Sequence, residues 1–333
     1  SGAAGSPPGG SGSPTHAALP GEPAPSHPLR AVGLLLAAML LFACLDATSK
    51  HLVRSYPVPL VTWARYAVHC LLMLAFLAPR MGTRLIHTRR PLPQVVRALL
   101  LVGTTAFGMA AFRVMPLAET TAIVFLAPLL VVALAVVILK ERVRPALWFS
   151  VLAGLAGVAL IARPGGGLAF AGVLFALAAA FCYAFYQILT RQLAATEQPV
   201  TMLFYTALVG AVVTTWPLPW FWSGPAPGAR EIVLMCSLGI YGGVGHFLLI
   251  RAFRLAPASL LSPFLYVQLV WAALLGWLLY GQFPDLMASS GILIIIASGL
   301  SLVLSNRRVA RHGSREIDAA RIPATASDQK TQT

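Results

Sequence analysis

Mostly apolar runs of about 17–25 residues recur along the chain, separated by short segments that hold its Pro, Gly and charged residues. Each run is long enough to cross a hydrocarbon core of about 30 Å as a helix. Reading the runs against their punctuation predicts ten spans, at residues 31–49, 59–78, 95–112, 117–139, 146–162, 168–190, 200–221, 232–252, 258–280 and 286–305. The runs are continuous rather than alternating, which excludes a membrane barrel and leaves helices as the way to satisfy the backbone in lipid. Residues 1–29 are rich in Gly, Pro, Ser and Ala, and residues 309–333 are polar, so both are expected to be disordered tails. No basic n-region or cleavage site precedes the first run, so that helix is expected to be retained rather than removed as a signal peptide.

Five spans fall in each half, and the halves carry a repeated string. Ala111-Phe112-Arg113-Val114-Met115-Pro116 recurs as Ala252-Phe253-Arg254-Leu255-Ala256-Pro257, an offset of 141, in both cases where the third span of a half turns into the fourth. An offset of 139 aligns the first spans, pairing Gly33 with Gly172 and Phe42 with Phe181. An odd number of spans per copy makes two such halves antiparallel, the architecture of many secondary transporters.

Charge then sets the orientation. Eighteen of the 24 Lys and Arg residues fall on one side of the predicted spans, five on the other, and Arg65 lies within a span. The positive-inside rule therefore predicts that both termini are cytoplasmic. Composition agrees with a membrane protein: 58% of residues are hydrophobic, 10% are charged and the mean hydropathy is +0.79, whereas a soluble domain carries about 25% charged residues. The net charge of +14 is then topology information, and no nucleic-acid partner is needed to explain it. Cys44, Cys70, Cys182 and Cys236 lie in apolar runs without metal-ligand spacing and read as small apolar residues. No metal or cofactor is expected.

The order of these elements resembles the drug/metabolite transporter superfamily, in particular its EamA-type branch. The resemblance rests on Phe42-Ala-Cys-Leu-Asp46-Ala-Thr-Ser-Lys50, Pro59-Leu-Val-Thr-Trp-Ala-Arg65-Tyr and Ala111-Phe-Arg-Val-Met-Pro116-Leu-Ala-Glu119-Thr-Thr-Ala. Leu139-Lys-Glu141-Arg and Gly154-Leu-Ala-Gly157-Val-Ala-Leu-Ile-Ala-Arg163-Pro164 complete it. The second half matches more loosely, with Gln282 where such proteins more often have Glu. The resemblance covers about residues 31–306. It implies an all-α integral membrane protein of ten helices in two inverted five-helix repeats (residues 30–165 and 166–308) that carries small organic metabolites without ATP hydrolysis.

Ionisable groups inside spans are costly and each needs a reason. Asp46 lies one turn before Lys50, in the order that favours an i,i+4 pair, and Arg65 enters the next span within reach of Asp46. These residues read either as an ion pair locking two helices or as a charged site that meets substrate or a coupling proton. In the sixth span Tyr183, Tyr186, Gln187 and Thr190 share one face. Gln187 favours a cavity there, while an interfacial location would account for the tyrosines alone. His246 follows the glycine-rich Gly239-Ile-Tyr-Gly242-Gly243-Val-Gly245, as a packed or a functional histidine. The ninth span presents Tyr266 on one face and Gln268 with Trp271 on a neighbouring one, and Pro128 and Pro263 are candidate bending points.

The reading is a secondary carrier of the bacterial inner membrane, working by alternating access on an amino-acid-like, vitamin or nucleotide-related solute. Asp46 and His246 are its candidate proton carriers, and it is expected to function as a monomer. The alternative from another class, a membrane-embedded enzyme, needs several acids or histidines converging at one depth, which the spans do not place together.

Overall fold

Proline marks the starts of several helices, where its missing N–H has no intrahelical partner to lose. The computed structural model describes residues 28–138, 145–162, 169–194, 196–222, 225–301 and 304, and all regular structure among them is helical. Residues 1–27 and 309–333 of the predicted disordered tails, Lys140-Glu141 and Arg163-Pro164 lie outside the described residues, while Pro28 and Leu29, expected to belong to the first tail, open a helix where proline suits the first turn. The first half holds α1 (Pro28–Leu52), α2 (Val58–Met81), α3 (Pro91–Val114), α4 (Leu117–Val124), α5 (Ala127–Ile138) and α6 (Pro145–Ile161). The second holds α7 (Phe170–Leu193), α8 (Pro199–Thr215), α9 (Leu218–Phe221), α10 (Ala229–Leu255), α11 (Ala258–Leu261), α12 (Val267–Tyr280) and α13 (Leu286–Ser301).

Each predicted span overlaps helical residues, several of them with an internal break. Seven of the helical segments are long and apolar enough to cross a membrane, and three shorter apolar ones, Trp148–Ile161, Pro199–Thr215 and Leu286–Ser301, match the fifth, seventh and tenth predicted runs. The chain is a multi-pass membrane protein.

The repeated string builds the same joint twice. After α3 the chain extends at Met115 (φ −126°, ψ 155°) and restarts at Pro116; after α10 it extends at Ala256 (φ −151°, ψ 150°) and restarts at Pro257. Each extended residue donates its N–H to the carbonyl four residues back, Ala111 or Ala252. The following span is broken in both halves. The first break, at Phe125–Leu126, immediately precedes α5, where Pro128 sits in the first turn; the second is a 3-10 turn, Ser262–Tyr266, containing Pro263. At the repeat offset of 141 the two interruptions overlap only at Phe125 and Tyr266, and their prolines are not equivalent, so both halves break the same span and each does so with its own sequence.

Helices of one half pack on their counterparts in the other. First and third helices exchange partners, α1 lying along α10 and α3 along α7, while α2 packs on α8 and α4 on α12. The fifth pair, α6 and α13, approaches to backbone contact: a Cβ at Gly157 would lie 2.8 Å from the Gly291 carbonyl oxygen, and one at Gly291 2.6 Å from that of Gly157. Ser150 near the start of α6 hydrogen-bonds Ser301 at the end of α13 (2.7 Å), and Trp63 near the start of α2 donates to Thr215 at the end of α8 (2.9 Å), so both pairs run antiparallel. Small residues permit such close packing without a hydrophobic driving force between helices in lipid. In α7 the buried stripe is Ala176, Ala179, Ala180 and Ala184, all fully excluded from solvent.

Candidate functional site

The breaks and the exchanged helix pairs leave a central cavity of about 230 Å³ between the two halves. It draws side chains from α1, α2, α3, α4, α5, α7 and α10, and from the segment spanning the 3-10 turn and α12. Its polar groups are few and come from separate elements, as in binding sites where a mostly apolar wall carries a small number of placed hydrogen-bonding groups.

Two charges of opposite sign line it. Asp46 on α1 accepts a hydrogen bond from Gln268 Nε2 (3.0 Å), which joins the first half to the start of α12 just beyond the break. Arg65 on α2 donates through Nη1 to Thr105 Oγ1 on α3 (3.0 Å). Neither makes the ion pair considered from spacing. Lys50 turns away from Asp46 and donates to the carbonyls of Phe112 (2.9 Å) and Met115 (2.5 Å). The acid and the guanidinium therefore stand in one cavity, each held by a neutral partner.

Six of the nine residues singled out from sequence line this cavity: Asp46, Arg65, Tyr183, Gln187, His246 and Gln268. Tyr186 stacks on Tyr183 at 5.7 Å and lies beneath the Arg97 guanidinium at 5.1 Å, outside the lining. Tyr266 is buried against Phe125, with ring centroids 5.5 Å apart, and Trp271 packs with the cluster around Leu35 and Met39. His246 is set between Phe42 (4.9 Å) and the ring of His69 (6.5 Å, nearly parallel). The glycines that precede it serve close approach to α1 and α2: a Cβ at Gly245 would meet Phe42 at 2.7 Å, and one at Gly239 would meet Val68 at 2.5 Å.

The largest difference from the sequence reading concerns α3. It supplies Leu101, Thr104, Thr105, Gly108, Met109 and Phe112 to the cavity, and among these only the two threonines are polar, with no charge or amide to mark a lining face. Arg97, one of the eighteen Lys and Arg residues on the predicted cytoplasmic side, is only 2% exposed. Its guanidinium donates to the Met202 carbonyl, to Thr206 Oγ1 (2.8 Å) and to Thr190 Oγ1 (3.4 Å), tying α3 to α8 and α7. Nothing in local spacing distinguishes it from the arginines of the neighbouring loop.

The EamA-like transporter family matches this chain twice, over residues 29–163 and 170–304. The chain belongs to that family. Similar proteins include an S-adenosylmethionine uptake transporter of Rickettsia bellii, 28% identical over 83% of this chain and 94% of the relative. A riboflavin transporter of Vibrio cholerae is 25% identical over 82% of this chain and 92% of its own, and a pseudopaline exporter of Pseudomonas aeruginosa 27% identical over 80% and 94%. A solved crystal structure, 22% identical, superposes with a TM-score of 0.59 over 84% of this chain and 98% of its own, a likeness of fold. This EamA-like protein is thus a transporter of small metabolites and not an enzyme, and the two matches bear out its internal duplication.

Proposed function

We propose that this protein is a secondary carrier that moves its solute through the central cavity by alternating access, as ten spans in two inverted five-helix repeats. The observation that carries the reading is the cavity itself. It lies where the two matched halves meet, and it is lined by one acid and one guanidinium on different helices beside two interrupted spans. The antiparallel α2–α8 and α6–α13 pairs support the inverted arrangement, since each pairs a helix with its own counterpart. The charge distribution supports cytoplasmic termini and a place in the bacterial inner membrane.

The cavity suits a solute with a flat or apolar body and a few polar or charged groups. Phe42, Phe125 and Tyr183 offer ring faces and edges, Thr104, Thr121 and Gln187 offer neutral hydrogen-bonding groups, and Asp46 and Arg65 offer one charge of each sign. The relatives named for S-adenosylmethionine, riboflavin and pseudopaline are in keeping with such a solute. Asp46 and His246 are the proposed proton carriers if transport is coupled to a proton gradient.

Purified protein is screened by thermal shift against S-adenosylmethionine, riboflavin, amino acids and nucleosides. A solute bound at a hundred times its Kd stabilises by about 2.7 kcal/mol. The same solute is then followed into proteoliposomes. Asp46→Asn and Gln187→Ala are expected to lower uptake at least about tenfold, equivalent to about 1.4 kcal/mol, with folding intact. Unchanged uptake kinetics in both variants would refute the placement of the site.

A further inference from the structure

The central cavity reaches Ser49 and Phe112, near the ends of α1 and α3. Ser49 and Phe112 face the cavity, while Lys50 lines a second, polar space of about 380 Å³ together with Arg54, Arg113, Glu119, Gln282 and Asp285. Only 2% of Lys50 is exposed, and on α1 it directly follows Ser49, so adjacent residues of that helix line the two spaces.

Its present position follows from Pro116. The Phe112 carbonyl would ordinarily accept from the N–H four residues on, but that residue is proline and has none. Lys50 Nζ takes that orphaned acceptor and the Met115 carbonyl beside it, at a helix C-terminus whose partial negative charge favours a cation. On the other flank of α1, the Tyr280 hydroxyl donates to the Ala47 carbonyl (2.5 Å), drawing the end of α12 onto the same turn.

A second position for the ammonium is also provided. Glu119, in the first turn of α4, is 5% exposed and its Oε2 has no hydrogen-bond partner; Gln282 Oε1, just after α12, has none either. A buried carboxylate oxygen left unpaired is costly, and here both acceptors line the space that Lys50 borders.

We infer that Lys50 is the latch of the outer gate. Held by the Phe112 and Met115 carbonyls it closes the cavity, and when α1 parts from the end of α3 its ammonium passes to Glu119 and Gln282. The repeat offsets place Leu189 opposite Lys50 and Leu260 opposite Glu119, so this latch belongs to one face of the protein and the opposite gate closes by other means. The inference rests on the transport reading above.

The test places Ser49→Cys, a position with no exposure, just beneath the latch after the four native cysteines are replaced by alanine, and measures maleimide labelling in detergent micelles. With Lys50 present, labelling is slow. Lys50→Met is expected to raise the rate about tenfold, through loss of two charge-assisted hydrogen bonds. Glu119→Gln, which leaves the latch and removes its second position, is expected to lower the rate below that of the parent. Phe283→Cys, at a residue 70% exposed beside the same space, labels equally in every background and reports folding. Equal Ser49→Cys rates in the parent and Lys50→Met, or a rise in Glu119→Gln, overturn the latch. Should Lys50→Met fail to fold, the sign of the Glu119→Gln effect decides alone. Labelling that responds as expected in a protein that moves no solute would instead count against the transport reading.

Discussion

Asp46 stands in the cavity with a neutral amide as its partner, and that changes what the residue can do. A tight ion pair with Lys50 or Arg65 would bind two helices and leave little for a solute. Hydrogen-bonded to Gln268, the carboxyl keeps acceptor capacity directed into the space between the halves. His246 enters the same lining from α10, with His69 at its back. If these groups carry the coupling proton, an imposed pH gradient changes the initial uptake rate of the parent protein. That dependence is lost in Asp46→Asn and His246→Gln, and proteoliposome uptake with and without the gradient checks it. Indifference of the parent to the gradient would remove proton coupling from the mechanism.

Among the elements, α6 and α13 carry the most direct consequence of residue size. Gly157 and Gly291 face each other across a contact in which each added methyl would press on the opposite carbonyl oxygen. Gly157→Ala is expected to lower thermal stability in detergent by about 1–3 kcal/mol, the usual cost of overpacking. Once that change has separated the helices, adding Gly291→Ala costs less than it does alone; simple additivity would mean that the two sites do not share one contact. The interrupted spans carry the opposite lesson. Pro128 and Pro263 were expected to act as bending points, and each lies at or beside an interruption, yet they occupy non-equivalent positions around breaks in the same span of each half. A single-sequence search for matching prolines therefore cannot align the breaks, because the surrounding helices select their depth.

For the whole molecule, orientation is the property most exposed to a simple test. Reporters active only in the cytoplasm, fused at either terminus, are expected to be active at both ends, as an even number of spans with most basic loops inside requires. Activity at one end only would contradict the ten-span arrangement. The exchange of first and third helices between halves, with second, fourth and fifth helices paired to their counterparts, places the cavity on the seam. In the proposed alternating-access cycle, a small sliding or rocking of one half changes access from either side around the same lining residues.

Much of the protein is legible in its sequence. Apolar run length and charge placement determined a multi-pass helical protein, because lipid permits few ways to satisfy a backbone and insertion responds to Lys and Arg. The repeated Ala-Phe-Arg string with its proline marked a duplication, because one chain-restarting joint had been built twice. Asp46, Arg65, Tyr183, Gln187, His246 and Gln268 stood out because polar groups in apolar helices need a partner. The tertiary structure alone decided which partner each one takes. Lys50 finds the carbonyls at the end of α3 instead of Asp46, Arg97 leaves the presumed loop face for the interior, and Tyr266 and Trp271 pack outside the cavity lining. It also decided that α3, with no charge or amide on its lining face, supplies much of the cavity wall. Local spacing sets the face on which a side chain emerges, but the packing of distant helices sets what that face meets.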